Sequence, residues 1–180
     1  IPKIQAVFGA NLHEASYIAT GYTLAAGVIV GASGFLANRF GIKRVYLSSL
    51  ALFIIGSALC STAWSINALI GFRVLQGLGG GMLMPLGMTI MTRAAGPARM
   101  GRLMAILGVP MLLGPIFGPI LGGWLIEAAS WHWIFLINVP IGIVAALYAL
   151  WALPSDSPEP SESFDVIGMM LMSPGLALFL

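Results

Sequence analysis

Residues 108–123 read GVPMLLGPIFGPILGG: five glycines and three prolines among eight apolar side chains, with no charge. In water glycine and proline are the poorest helix formers, by about 1 and 3 kcal/mol per residue relative to alanine. In lipid both are more frequent, because neighbouring helices can satisfy the backbone groups they free. The run lies inside the uncharged stretch 103–126, between Arg102 and Glu127. A helix of twenty-odd residues spans about 30 Å, the thickness of the hydrocarbon core. The stretch therefore reads as a membrane-spanning helix. Gly114, Gly118 and Gly122 recur every four residues and make a side-chain-free groove, predicted to face another helix rather than lipid. Pro115 and Pro119 are predicted to bend it.

Working outward, further apolar stretches occupy 16–36, 45–64, 66–91 and 133–153, and another starts near Val166 and continues to Leu180. Of 180 residues 59% are hydrophobic and only 8% charged, and the mean hydropathy is +0.98. A soluble domain carries about a quarter of its residues charged, and disorder needs low hydrophobicity with high charge. Both classes are excluded, and the fold class is an all-α membrane protein, a polytopic bundle of transmembrane helices in a lipid bilayer. The connections are short except PSDSPEPSES at 154–163, whose prolines, serines and acids suit a linker. The expected organisation is a half-bundle over 1–153, a linker over 154–163 and the start of a further helix over 164–180. With Ile1 at one end and an apolar run at the other, the chain is expected to be a fragment of a longer protein.

Charge placement sets an expected orientation. Arg39, Lys43 and Arg44 lie between the first two full spans, and Arg93, Arg99 and Arg102 between the third and fourth. The turns near 65 and 127–132 carry no Lys or Arg. By the positive-inside rule, loops 37–44, 92–102 and 154–163 are cytoplasmic, in a multi-pass protein of the cell membrane. Trp64, Trp124, Trp131 and Trp133 then fall at outer span ends and Trp151 at an inner one, as expected of an interfacial belt. The net charge of +2, without a basic cluster interleaved with aromatics, argues against a nucleic-acid partner. A single cysteine, Cys60, allows no disulfide framework or Cys-based metal site within the chain.

Three clusters carry the candidate chemistry. The first is GFLANRFGIKR at 34–44, where Gly41 permits a positive-φ turn and Asn38 is expected to cap a helix end or turn. The second is FRVLQGLGGG at 72–81. Residues 73, 76, 77, 80 and 81 share one helical face. No Lys-Ser/Thr follows its glycines and it lies in an apolar span, so a phosphate-cradling loop is rejected. Arg73 is the only basic residue deep in an apolar segment, at a cost of about 2.5–3.5 kcal/mol on insertion scales. It is expected to be largely buried, facing the bundle interior beside Gln76 and Gly77; the bland alternative is snorkelling to the outer interface. The third cluster is the opening stretch, with Gly108, Pro110, Gly114, Pro115, Gly118, Pro119, Gly122 and Gly123. His13, Glu14, Glu127 and His132 are scattered with no ligand spacing, and no catalytic constellation is present.

Together these clusters resemble three signature motifs of the major facilitator superfamily, in the right order and at plausible depths. The 34–44 stretch resembles the loop between helices two and three, 72–81 the helix-four motif assigned to proton transfer, and 108–123 the helix-five motif of antiporters. WHWIFLINVPIG at 131–142 and FDVIG at 164–168 resemble the starts of helices six and seven in the fourteen-helix drug:proton antiporter branch. The resemblance implies inverted three-helix repeats with substrate bound near the bilayer midplane. It further implies proton-driven export of drugs or other hydrophobic compounds, multidrug efflux, with the proton gradient as energy source and no cofactor; the alternatives are symport or import of a polar solute such as a sugar, and a non-transporting membrane receptor or enzyme. Proton coupling falls to Arg73, Gln76 and Gly77, and a cytoplasmic gate loop to Gly34, Asn38, Arg39, Gly41, Lys43 and Arg44. Its partners would be protons, hydrophobic or amphipathic small molecules, and the C-terminal half of the same chain. Asn38 stands where the family usually carries Asp, so a charged gate pair is not available there; His132 replaces the usual Arg between Trp131 and Trp133.

Overall fold

A computed structural model of the chain describes residues 2–154, so most of the 154–163 linker and all of 164–180 lie outside the described residues. The described residues form helices throughout. The short α1, Pro2–Phe8, ends at Gly9 (φ 62°). Helix α2, Leu12–Phe40, starts on a reciprocal cap: Asn11 Oδ1 accepts from the Glu14 N–H at 2.8 Å, and Glu14 Oε2 accepts from the Asn11 N–H at 3.0 Å. Gly41, at φ 89°, ends α2 by donating its N–H to Ala37 O and turns the chain directly into α3, Ile42–Ser61. Ser65 caps α4, Ile66–Ala95, by accepting from the Ala68 N–H. Gly96 (φ 69°) and a 3-10 turn over Pro97–Arg99 lead into α5, Met100–Ala128. The last described helices are α6, Trp133–Leu136, and α7, Asn138–Ala152.

Counting α6 and α7 as one element over Trp133–Ala152, five helices among the described residues are long and apolar enough to cross a membrane. They coincide with the five apolar stretches and overrun most of them, because caps and basic end residues extend the helix beyond the apolar run. The expected polytopic helical architecture is present.

Helix α4 is the centre of the bundle, packed along both α2 and α3, while α7 lies on α3. Glycines make this approach feasible. A Cβ at Gly77 would stand 2.5 Å from the Tyr22 carbonyl oxygen, and one at Gly81 would stand 2.6 Å from Ala26 Cα, both on α2. A Cβ at Gly79 would meet Phe53 N on α3 at 2.5 Å, and one at Gly56 would meet Gln76 Cα at 2.7 Å. Small residues four apart, Gly77 and Gly81, thus bring α4 against α2 backbone to backbone, the geometry by which membrane helices associate without a hydrophobic driving force.

The glycine groove expected on 108–123 does not pack in this way. Helix α5 has no buried residue, and a Cβ at Gly108, Gly114, Gly118, Gly122 or Gly123 meets nothing within 4 Å. The expectation that these glycines face protein is not met among the described residues. Helix α5 touches α4, α6 and the 3-10 turn only sparsely, and no described helix reaches its glycine face. A row of small residues records that close approach is permitted; which helix makes the approach is decided elsewhere. The helix runs unbroken through Pro110, Pro115 and Pro119.

The five tryptophans differ in exposure. Trp64, Trp124, Trp133 and Trp151 are exposed at span ends, whereas Trp131 is buried. Its ring meets Phe8 edge-on at 5.5 Å, stacks on His132 at 3.9 Å and meets Phe135 at 6.2 Å. It belongs to the core cluster that joins α1, α2, α3, α4 and α6 at this end of the bundle.

Candidate functional site: an arginine held inside the helix bundle

Helix α4 carries Arg73 just over two turns in from the Ser65 cap, about 12 Å along the axis at 1.5 Å per residue. The residue is half-buried rather than fully enclosed. Its guanidinium turns away from the nearby helix end. Nε donates to the backbone oxygen of Ile18 on α2 at 3.2 Å, and an Nη donates at 2.6 Å to Gln76 Oε1, nearly one turn deeper. The guanidinium carbon also sits 4.3 Å above the Tyr22 ring and 5.8 Å from the Phe135 ring. Each hydrogen bond to a charged group contributes about 1.5–3 kcal/mol, so two of them offset the insertion cost of about 2.5–3.5 kcal/mol. The guanidinium is therefore satisfied between the helices, by Ile18 O and Gln76 Oε1, without reaching for a helix end.

Gln76 fixes this arrangement from behind. It is 2% exposed, and the chemistry of its neighbour sets which way its amide faces. A guanidinium only donates, so the carbonyl oxygen of Gln76 must face Arg73 and its NH2 must face the other way. There Nε2 donates to Ser57 Oγ on α3 at 2.6 Å. Oε1 also receives a weak contact from the Cys60 thiol at 3.8 Å. Ser57 and Cys60 are both fully buried. Gly77 sits where α4 meets α2, as its spacing from Arg73 predicts, so Arg73, Gln76 and Gly77 are brought together. Sequence reasoning missed Ser57, Tyr22, Phe135 and the Ile18 carbonyl. Ser57 was findable as a polar residue within an apolar span; the others carry no polar signal or lie far away in sequence.

No carboxylate pairs with Arg73 among the described residues; its hydrogen-bond acceptors there are neutral. Glu14 is engaged in the α2 cap, and Glu127 lies exposed at the far end of α5.

The 34–44 loop is arranged differently from the expectation. Asn38 lies exposed in the last turn of α2, and the cap there is the backbone of Gly41, which needs no side chain. Gly34, Arg39 and Arg44 are exposed. Lys43 has a role that its sequence neighbourhood does not reveal: Nζ donates to the backbone oxygens of Leu150 at 2.9 Å and Leu153 at 2.5 Å. It closes the C-terminal end of α7, where orphan carbonyls and the helix dipole favour a cation.

Among the described residues, five helices long and apolar enough to cross a membrane, with a hydrogen-bonded cation held between them, define a polytopic helical membrane protein that carries a charged group within an apolar span. The chain belongs to the Major Facilitator Superfamily, whose family model matches residues 1–179. Among its relatives, the multidrug resistance protein B homolog of Mycobacterium tuberculosis is 50% identical over 173 residues, 96% of this chain and 32% of that protein. The putative multidrug resistance protein MdtD of Yersinia enterocolitica is 40% identical over 177 residues, 98% of this chain and 38% of that protein. The putative multidrug resistance protein MdtD of Yersinia pestis is 39% identical over 177 residues, 98% of this chain and 38% of that protein. The chain thus spans about a third of the length of these curated relatives.

Proposed function

We propose that the chain supplies the N-terminal half-bundle of a proton-coupled exporter of hydrophobic or amphipathic compounds, seated in the cell membrane with its basic loops in the cytoplasm. The observation that carries this reading is a permanently ionised side chain held within the bundle, among the described residues, by neutral acceptors alone. Arg73 does not itself titrate near neutral pH. A fixed cation in a low-dielectric cavity lowers the pKa of a carboxylate that comes near it, and water entering the cavity weakens that effect. Proton affinity then depends on which side the cavity faces, which is what coupling to a gradient requires. The carboxylate comes from outside the described residues. The proton gradient supplies the energy, and no cofactor is called for. The names of the relatives, which speak of multidrug resistance, support export over import.

The test is made on the full-length protein in everted membrane vesicles acidified inside. Added ethidium, a hydrophobic cation, is expected to release protons from the vesicles. Uptake of a polar solute such as a sugar accompanied by co-transported protons, with no response to ethidium, would replace the antiport reading with symport.

A further inference from the structure

We infer that Tyr22 on α2 is the positioning residue for the Arg73 charge, holding the cation through its ring face while leaving its full charge available to an acidic partner. This rests on the transport reading above and adds to it a residue that lies outside the three sequence clusters.

The geometry is specific. The guanidinium carbon of Arg73 lies 4.3 Å from the Tyr22 ring centroid, well within the roughly 6 Å over which a ring face attracts a cation. Phe135 of α6 is more distant, at 5.8 Å. Two glycines of α4 seat the tyrosine. Gly77 lets the Tyr22 backbone approach: a Cβ there would stand 2.5 Å from Tyr22 O and 3.1 Å from its Cα. Gly80 leaves room for the phenol: a Cβ there would stand 2.6 Å from the Tyr22 hydroxyl oxygen. The spacing that puts 73, 77 and 80 on one face of α4 therefore builds both the cation and the seat of the ring that holds it.

A ring face and a carboxylate hold arginine with different consequences. A carboxylate would neutralise the charge. A ring quadrupole attracts it and leaves the net charge at +1. Of the five N–H donors of the guanidinium, Nε–H and one Nη–H are engaged, by Ile18 O and Gln76 Oε1. The other three have no hydrogen-bond acceptor among the described residues. Arg73 is thus fixed in position and open to an anion. Displacing it from Tyr22 moves the charge away from the point where it acts, and the pKa of the carboxylate it serves rises.

The experiment replaces Tyr22 in the full-length protein with phenylalanine and then with mono-, di- and trifluorophenylalanine, which keep the ring shape while draining the negative face. Proton release from acid-loaded vesicles on adding ethidium is followed as a function of pH. Tyr22→Phe is expected to retain release. Successive fluorines are expected to lower its rate stepwise and to move the midpoint of the pH profile upward. Tyr22→Leu is expected to lower the rate about threefold or more. Gly80→Ala, which crowds the hydroxyl, is expected to impair release and to be partly rescued by Tyr22→Phe, which removes the crowded atom. Equal rates and midpoints across the fluorinated series, in a protein whose wild type responds to ethidium, would overturn the role of Tyr22 and leave antiport standing. A wild type without ethidium-dependent release would overturn the transport reading, and this inference with it.

Discussion

Lys43 and Arg73 show two ways in which a cation is used by the same bundle. Arg73 lies in an apolar span, and its placement alone singles it out as a candidate, because burying a charge in lipid is costly. Lys43 sits among other basic residues in a turn, where charge reads as topology. Its partners, the Leu150 and Leu153 carbonyls, are 107 and 110 residues further along the chain, so no local pattern could show them. Trp131 is the converse case, correctly placed at a span end but enclosed by Phe8 and Phe135, which only the tertiary fold brings to it. Replacing Lys43 by Met keeps much of the stem and removes the donors. The end of α7 is then expected to lose about 0.3–1 kcal/mol of local stability. Hydrogen exchange of the peptide covering 150–154 should quicken accordingly, with exchange elsewhere in α7 unchanged. Identical exchange in Lys43→Met would mean that the two carbonyls need no cap.

At the scale of elements, the spans were legible because length and apolarity are local properties, and five helices formed where five stretches stood. Their partners were not legible. Glycines on α4 and on α5 carry the same four-residue spacing, yet Gly77 and Gly81 are pressed against α2, while Gly114, Gly118 and Gly122 have open space around them. Both rows advertise a flat face; only the α4 row meets a partner among the described residues. This difference is measurable. Gly79→Leu inserts a side chain into the α3 backbone at Ser49 and Phe53 and is expected to destabilise the protein by about 1–3 kcal/mol. Gly118→Leu is expected to leave the association of α2, α3 and α4 intact. Thermal unfolding of the purified full-length protein in detergent, followed through intrinsic fluorescence, compares the two variants. Equal melting temperatures for Gly79→Leu and wild type would contradict the tight α3–α4 contact.

At the scale of the molecule, the described helices place the Asn67 and Ser130 ends together, since neighbouring Leu69 and Trp131 share one core cluster, while the turn that holds Arg39, Lys43 and Arg44 lies at the other end, where Lys43 meets the last turn of α7. In the proposed orientation the positive-inside rule puts that turn in the cytoplasm. In a full-length protein with Cys60 replaced by Ser, Asn67→Cys is expected to react with an impermeant thiol reagent in intact cells and Arg44→Cys to be protected; the reverse pattern would invert the orientation. The fold class and the Arg73–Gln76–Gly77 site were readable because both follow from one helix and its solvent. The Ser57, Tyr22 and Ile18 partners come from other helices and became visible only with the packing. The central claim is that Arg73 provides the fixed charge for coupling, and it is tested by ethidium-dependent proton release from acid-loaded vesicles holding the full-length protein. At equal expression, release is predicted to be lost in Arg73→Ala and partly kept in Arg73→Lys, which retains the charge without the planar donor fork; normal release by Arg73→Ala would contradict the account.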